Sequence, residues 1–373
     1  MRQKWIGVLY LILGCFFLNQ VSASVNRQTL ALVVNRSDPE SIEIARYYQR
    51  VRLIPPANIV YLDFRAATNS LSENEFKEIQ SQLNRQVGEN IQAYVLAWRK
   101  PWRVGCMSIT AAFSLGYDVH YCAQGCRLTK ASNYFNSSSR QPFTDFAIRP
   151  SMLLSADSVQ GVRDLINRGL KADYSRPYGT AWLLSTHDKQ RNVRAVYYPV
   201  IQRSLGHLLD IEFIRADAIK HKKNIMFYFT GSKKVKEIYS NTFLPGAVAD
   251  HLTSVGGHLF KSSQMSILEW IKAGVTASYG TVVEPCNFLQ KFPDPGIVMR
   301  KYLSGESILE AYWKSVKMPG QGLFVGEPLA SPYKGCVLRF NRLGVAYFAR
   351  PERTNFVEKS SMNCGYGNFS TMR

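Results

Sequence analysis

The sequence predicts an α/β fold, a mostly parallel β-sheet with helices on both faces. Three observations carry that prediction. Short continuous apolar runs recur along the chain, among them Leu30-Ala31-Leu32-Val33-Val34 and Ile225-Met226-Phe227-Tyr228-Phe229. Each is too short for a helix, as buried strands are. Amphipathic helical patterns fall between the runs, and that alternation marks parallel strands joined by crossover helices. At 373 residues and 46% hydrophobic content, the chain is also large enough to bury a core against such a sheet.

Taken in order, the first run is followed by Asn35-Arg36-Ser37-Asp38-Pro39 and a helical pattern through Ile42, Ile44, Ala45, Tyr48 and Val51. Pro39 suits a first helical turn, where its missing N–H costs nothing. Pro55-Pro56 ends the helix and Asn58 to Phe64 supplies a strand, completing a β-α-β unit. Ser72-Glu73-Asn74-Glu75 is a capping box that opens a helix reaching to Gln86, with Phe76, Ile79 and Leu83 on one face. A third strand spans Ile91 to Trp98. Over residues 100–149 the pattern weakens into clustered Asn, Ser and Arg, which reads as an inserted loop region. Strands return at Ser151 to Leu154, Thr180 to Ser185 and Ile211 to Ile214, alternating with helical patterns at Val159 to Leu170 and Val196 to Leu209. Later helical patterns occupy Ser266 to Lys272, Gly296 to Tyr302 and Ser307 to Val316. The domain therefore covers residues 24–333, and an appended C-terminal tail covers 334–373.

Candidate chemistry concentrates between Asn224 and Cys286. The run ending at Phe229 leads into Thr230-Gly231-Ser232, and a second strand, Val275 to Tyr279, leads into Gly280-Thr281-Val282-Val283-Glu284-Pro285-Cys286. Ligands of open α/β sheets bind outside the carboxyl ends of strands, so these two turns are expected to share one crevice. The intervening stretch holds Asp250, His251, Thr253 and Ser254, and after Pro245-Gly246 it reads as the start of a helix. On this reading Ser232, Asp250, His251, Thr253, Ser254, Ser278 and Glu284 converge, with Cys122, Cys126 and Cys364 elsewhere.

His251 is a candidate general base, or alternatively a hydrogen-bonded structural histidine. Cys286 is a candidate nucleophile, although the even cysteine count of an exported chain favours a disulfide. Thr276-Ala277-Ser278-Tyr279-Gly280 departs from the nucleophile-elbow pattern only at its first glycine, yet the triad histidine follows the serine in such enzymes and no histidine lies beyond His258. Ser278 thus reads as a turn residue lining the cleft. Phosphate-loop and dinucleotide fingerprints are absent, and no second cysteine pair of zinc-ligand spacing accompanies Cys122 and Cys126. Neither cofactor nor metal is expected.

The first 23 residues have a basic start at Arg2 and Lys4, an apolar stretch from Trp5 to Leu18 and a small-residue site at Val21-Ser22-Ala23. That is a secretory signal peptide with cleavage expected after Ala23. The mature chain is expected in the periplasm or outside the cell, with no stable membrane span. Its six remaining cysteines permit three disulfides in any of 15 connectivities. The formal charge of +19 is scattered and accompanies no nucleic-acid motif. Export also argues against nucleic acid, and an acidic polysaccharide or a peptide is the better-matched partner. Oligomeric state is not legible.

Several of these stretches resemble a family of uncharacterised exported bacterial proteins found alongside exosortase-type sorting and extracellular polysaccharide systems. The resemblance rests on Val33-Val34-Asn35 with Ser37, Pro39, Ala45, Tyr47-Tyr48 and Arg52; on Asp250-His251-Leu252-Thr253-Ser254 with Gly256-Gly257; on Ser278-Tyr279-Gly280-Thr281-Val282 with Glu284-Pro285; and on Gly326-Glu327-Pro328-Leu329. More distantly, the order of elements resembles the caspase-like fold of gingipain-type cysteine peptidases. Those carry His-Gly after one central strand and a cysteine-containing turn after the next. Here the corresponding positions read Thr230-Gly231-Ser232 and Thr253-Ser254-Val255-Gly256-Gly257, without the base and the thiol. The resemblance implies a non-peptidase accessory or binding protein of the envelope. The alternative is a cysteine hydrolase or transpeptidase using Cys286 and His251.

Overall fold

The computed structural model describes residues 25–349, except 67, 124 and 261, together with Cys364. The signal peptide expected over residues 1–23 and most of the tail beyond residue 349 lie outside the described residues.

One sheet of ten strands organises the chain. In chain order they are β1 (Leu30–Asn35), β2 (Ile59–Leu62), β3 (Ala93–Leu96), β4 (Ser151–Leu153), β5 (Thr180–Ser185), β6 (Asp210–Arg215), β7 (Ile225–Gly231), β8 (Phe243–Leu252), β9 (Ala277–Thr281) and β10 (Gly322–Gly326). Their spatial order is β2-β1-β3-β4-β10-β9-β8-β7-β5-β6. Every neighbouring pair is parallel except β9 and β10, which run antiparallel with Ala277 opposite Gly326 and Thr281 opposite Gly322. The carboxyl ends of β5, β7, β8 and β9 consequently share the edge where β10 begins.

The helices are α1 (Pro39–Arg52), α2 (Glu73–Asn84), α3 (Ile109–Leu115), α4 (Pro142–Phe146), α5 (Val159–Ala172), α6 (Tyr198–Leu205), α7 (Leu268–Lys272), α8 (Pro295–Leu303) and α9 (Ile308–Trp313). Their starts follow local chemistry. Asp38 caps α1 by accepting from Glu40 N at 3.0 Å, with Pro39 in the first turn, and Ser72 and Glu75 form the expected capping box on α2.

The run at β7 is continuously apolar because its side chains feed two packed layers. Met226, Phe227 and Phe229 enter the main core, while Ile225 and Tyr228 enter a second cluster with Trp182, Leu184, Trp270 and Val275. A register shift between Ile225 and Phe227 breaks the strict alternation and lets Met226 and Phe227 join the same cluster.

One expectation is corrected. Asp250 and His251 lie on β8, a ten-residue strand and not the start of a helix. Gly246 takes φ +88, a conformation open to glycine, and Ala247 to Leu252 are then buried between β7 and β9. Residues 100–149 pack against the domain core. Trp102, Val104, Met107, Ile109, Ala111 and Ala112 belong to the main apolar cluster, and Ser108 and Thr110 donate to the Gly322 carbonyl at the start of β10.

Candidate functional site

An open pocket of about 540 Å³ lies at the carboxyl edge of β5, β8 and β9. Its lining includes Gln190, Arg191, Thr253, Ser254, Gln264, Glu284, Asn287 and the Cys126–Cys286 disulfide. Three turns build it, each fixed by its own hydrogen bonds.

The turn after β5 is held by Thr186, whose N–H donates to Asn192 Oδ1 at 2.8 Å and whose hydroxyl donates to the Gly231 carbonyl at 2.7 Å. That places Arg191, whose Nη1 meets Asp188 Oδ2 at 2.9 Å and whose Nε donates to Thr253 Oγ1 at 3.1 Å. The Thr253 hydroxyl in turn donates to Gln264 Oε1 at 2.7 Å, an oxygen that also accepts from Val255 N at 2.9 Å. Thr281, at the end of β9, donates its hydroxyl to Ser254 O at 2.9 Å, so the turns after β8 and β9 are tied. Gln321 Nε2 donates to Glu284 O at 2.9 Å, and Glu284 Oε1 accepts from Cys286 N at 2.8 Å. Behind this wall Lys291 is wholly buried, its Nζ without a hydrogen-bond partner among the described residues, and burial pulls it down to about 8 against the attraction of Glu284.

The pocket brings together Thr253, Ser254, Glu284 and Cys286 from the sequence-based set, and leaves out Ser232, Asp250, His251 and Ser278. Ser232 folds back on its own turn, its hydroxyl donating to Lys234 O at 3.0 Å. Asp250 and His251 are adjacent on a strand and point to opposite sides of it. Asp250 is buried against Arg194, with Oδ1 at 2.6 Å from Nη1, and burial raises its carboxyl despite that guanidinium. His251 accepts from Trp270 Nε1 at 2.9 Å on Nδ1, so its proton sits on Nε2, which donates to Met265 O at 3.1 Å. Burial lowers the imidazole to about 4. With both nitrogens engaged, His251 occupies the structural role, and it cannot serve Cys286 as a base. Ser278 is buried within β9. Cys286 Sγ is bonded to Cys126, which removes the thiol nucleophile and places Cys126 at the pocket, against the expectation that it lies elsewhere.

Comparison with known protein families, characterised proteins and solved structures finds no match. The site therefore has to be read from its own chemistry.

Sequence reasoning did not select Gln190, Arg191, Gln264 or Asn287. For Arg191 a signal existed, since Ser185-Thr186-His187-Asp188 is a polar turn directly after a buried run, the position that flagged Thr230-Gly231-Ser232. Gln264 carries no such mark. Among the described residues no group of three or more His, Cys, Asp or Glu side chains is placed to hold a metal ion. The arrangement offers hydrogen-bond donors and acceptors side by side, around a covalently braced rim.

Proposed function

We propose that this chain is an exported accessory protein of the cell envelope that binds a peptide segment in the pocket at the carboxyl edge of β5, β8 and β9. The observation that carries the reading is the complement of unspent polar groups. Among the described residues, Arg191 Nη2 and the Gln264 amide N–H groups have no partner, and neither Ser254 Oγ nor the second Glu284 oxygen accepts a hydrogen bond. A peptide backbone offers donors and acceptors in alternation and matches such a lining. The volume lies within the range of about 300–1,000 Å³ usual for ligand pockets. Export is supported by three disulfides, Cys106–Cys122, Cys126–Cys286 and Cys336–Cys364, because such bonds persist in oxidising compartments. Among the described residues no helix is long and apolar enough to cross a membrane. A place in protein sorting follows from the family resemblance and belongs to the same proposal.

The test is titration of the oxidised protein with a library of short peptides, read by calorimetry, beside Arg191→Ala and Gln264→Ala. Selective binding that both variants weaken is expected. Peptide turnover that requires reduction of Cys126–Cys286 and is abolished by alkylating Cys286 would favour the thiol enzyme instead.

A further inference from the structure

A second concave surface lies away from the pocket, between α1 and α5, with a volume of about 510 Å³. Pro39, Ile42, Glu43, Arg46, Tyr47 and Arg50 line it from α1, and Arg163 lines it from α5. Two of its arginines, Arg50 and Arg163, are held by one aromatic ring. The guanidinium carbons of Arg50 and Arg163 each lie 5.4 Å from the centre of the Tyr47 ring, and the Tyr47 hydroxyl is fixed by donation to Asn167 Oδ1 at 2.7 Å. Arg163 also meets Glu43 at 2.8 Å, whereas Arg46 and Arg50 have no carboxylate partner among the described residues. A guanidinium ordered by an aromatic ring keeps its full charge and its N–H fork for something else. Two guanidiniums around one ring, with Arg46 one helical turn from Arg50 and Arg163 alone paired to a carboxylate among the described residues, form a cationic groove.

We infer that this groove docks an acidic polysaccharide, with carboxylates spaced along the chain meeting Arg46 and Arg50 in succession. Those residues stand one helical turn apart on the same face of α1, about 6 Å between Cβ atoms. Guanidinium forks match carboxylates two bonds at a time. The groove favours a sugar chain over the other polyanions. Peptides gripped through a free strand edge or deep apolar pockets find neither in this helix-lined groove, and an acidic peptide drawn to the arginines is the competitor that poly-glutamate represents in the experiment below. Membrane surfaces engage protruding apolar side chains, and here Ile42 and Tyr47 are half-buried between the helices. The chain's formal charge of +19 would speed the encounter without choosing the place. This inference is independent of the peptide pocket, which lies at the carboxyl edge of the other half of the sheet.

The experiment immobilises polygalacturonate and measures binding of the whole exported protein at rising salt, with neutral dextran, poly-glutamate and phosphatidylglycerol vesicles as comparison surfaces. Saturable binding to polygalacturonate, falling with salt and absent on dextran, is expected. The double variant Arg46→Glu/Arg50→Glu should weaken it by about tenfold, the scale of two exposed charge contacts reversed. A second double variant, Lys220→Glu/Lys223→Glu, changes the same formal charge at exposed positions outside the groove and should leave binding within about twofold. Equal loss in both variants would reduce the effect to net charge and overturn the groove. Tighter binding to poly-glutamate or to the vesicles would overturn the occupant. Unchanged far-ultraviolet circular dichroism in both variants keeps any loss attributable to the surface.

Discussion

His251 accepts from the Trp270 indole and donates to the Met265 carbonyl inside a closed apolar layer, so its replacement should register as instability. His251→Ala leaves a buried indole N–H without an acceptor and opens a void, and a loss of about 2–4 kcal/mol is expected in urea unfolding. A loss under about 1 kcal/mol would restore His251 as a functional candidate. The same residue sets a pH dependence. Its folded value of about 4 lies below the 6.5 of free histidine, so the unfolded chain binds the proton first. Stability from the neutral imidazole is present above 6.5 and is lost as pH falls through 4, about 3 kcal/mol in all. Glu306 acts in the opposite direction. Burial raises it from 4.5 to about 7, Lys314 Nζ at 2.7 Å draws it back and Glu310 adds to the rise. Its share of stability is present below 4.5 and is lost as pH climbs through about 7. Glu306→Gln should therefore flatten the decline in melting temperature between those two values, and an unchanged slope would exclude this assignment.

At the scale of elements, the pocket depends on the close approach of two turns. A Cβ on Gly231 would overlap the Arg191 carbonyl oxygen, which is backbone and has nowhere to yield. Gly231→Ala should displace the turn after β5 and abolish peptide binding in a protein that remains folded, with calorimetry and circular dichroism as the two readouts. The Cys126–Cys286 bond braces the same rim from a sequence separation of 160 residues. Loop-closure entropy for so long a loop gives an upper figure of about 5 kcal/mol, so Cys126→Ser/Cys286→Ser should lower the guanidinium midpoint measurably. No shift would mean that the rim is held by other contacts.

Across the whole molecule, residues far apart in sequence lock the halves of the sheet to the helical layer. Glu327 follows β10 directly and accepts from Tyr48 Oη at 2.7 Å, while Arg52 of α1 joins both Glu327 and Asp173. Breaking such a pair from one side leaves a buried charge unmatched, and Glu327→Ala should cost about 3–5 kcal/mol in equilibrium unfolding. A near-neutral result would show that the network relaxes. Peptide mapping under non-reducing conditions should recover all three cysteine pairings. A pairing that separates Cys126 from Cys286 would contradict the covalently braced rim of the pocket.

How much of this was legible beforehand depends on whether a feature is local. Strands β1, β4, β5, β6 and β7 and helices α1, α2 and α5 follow from apolar runs, periodicity and capping residues within a few positions of one another. The sequence by itself determined the α/β class, the alternation of elements and the even set of cysteines that calls for disulfides. It misread β8, because a Pro-Gly start followed by a mixed apolar and polar stretch suits either helix or strand until its neighbours in the sheet are known. Only the tertiary structure decided that β9 and β10 run antiparallel, which sets the edge where the site forms. It alone chose among 15 cysteine pairings, turned Asp250 and His251 to opposite sides of one strand, and drew Arg191 to Thr253 across 62 positions of sequence. Side-chain direction and long-range pairing are properties of how strands are ordered and packed, and no local pattern of residues encodes that order.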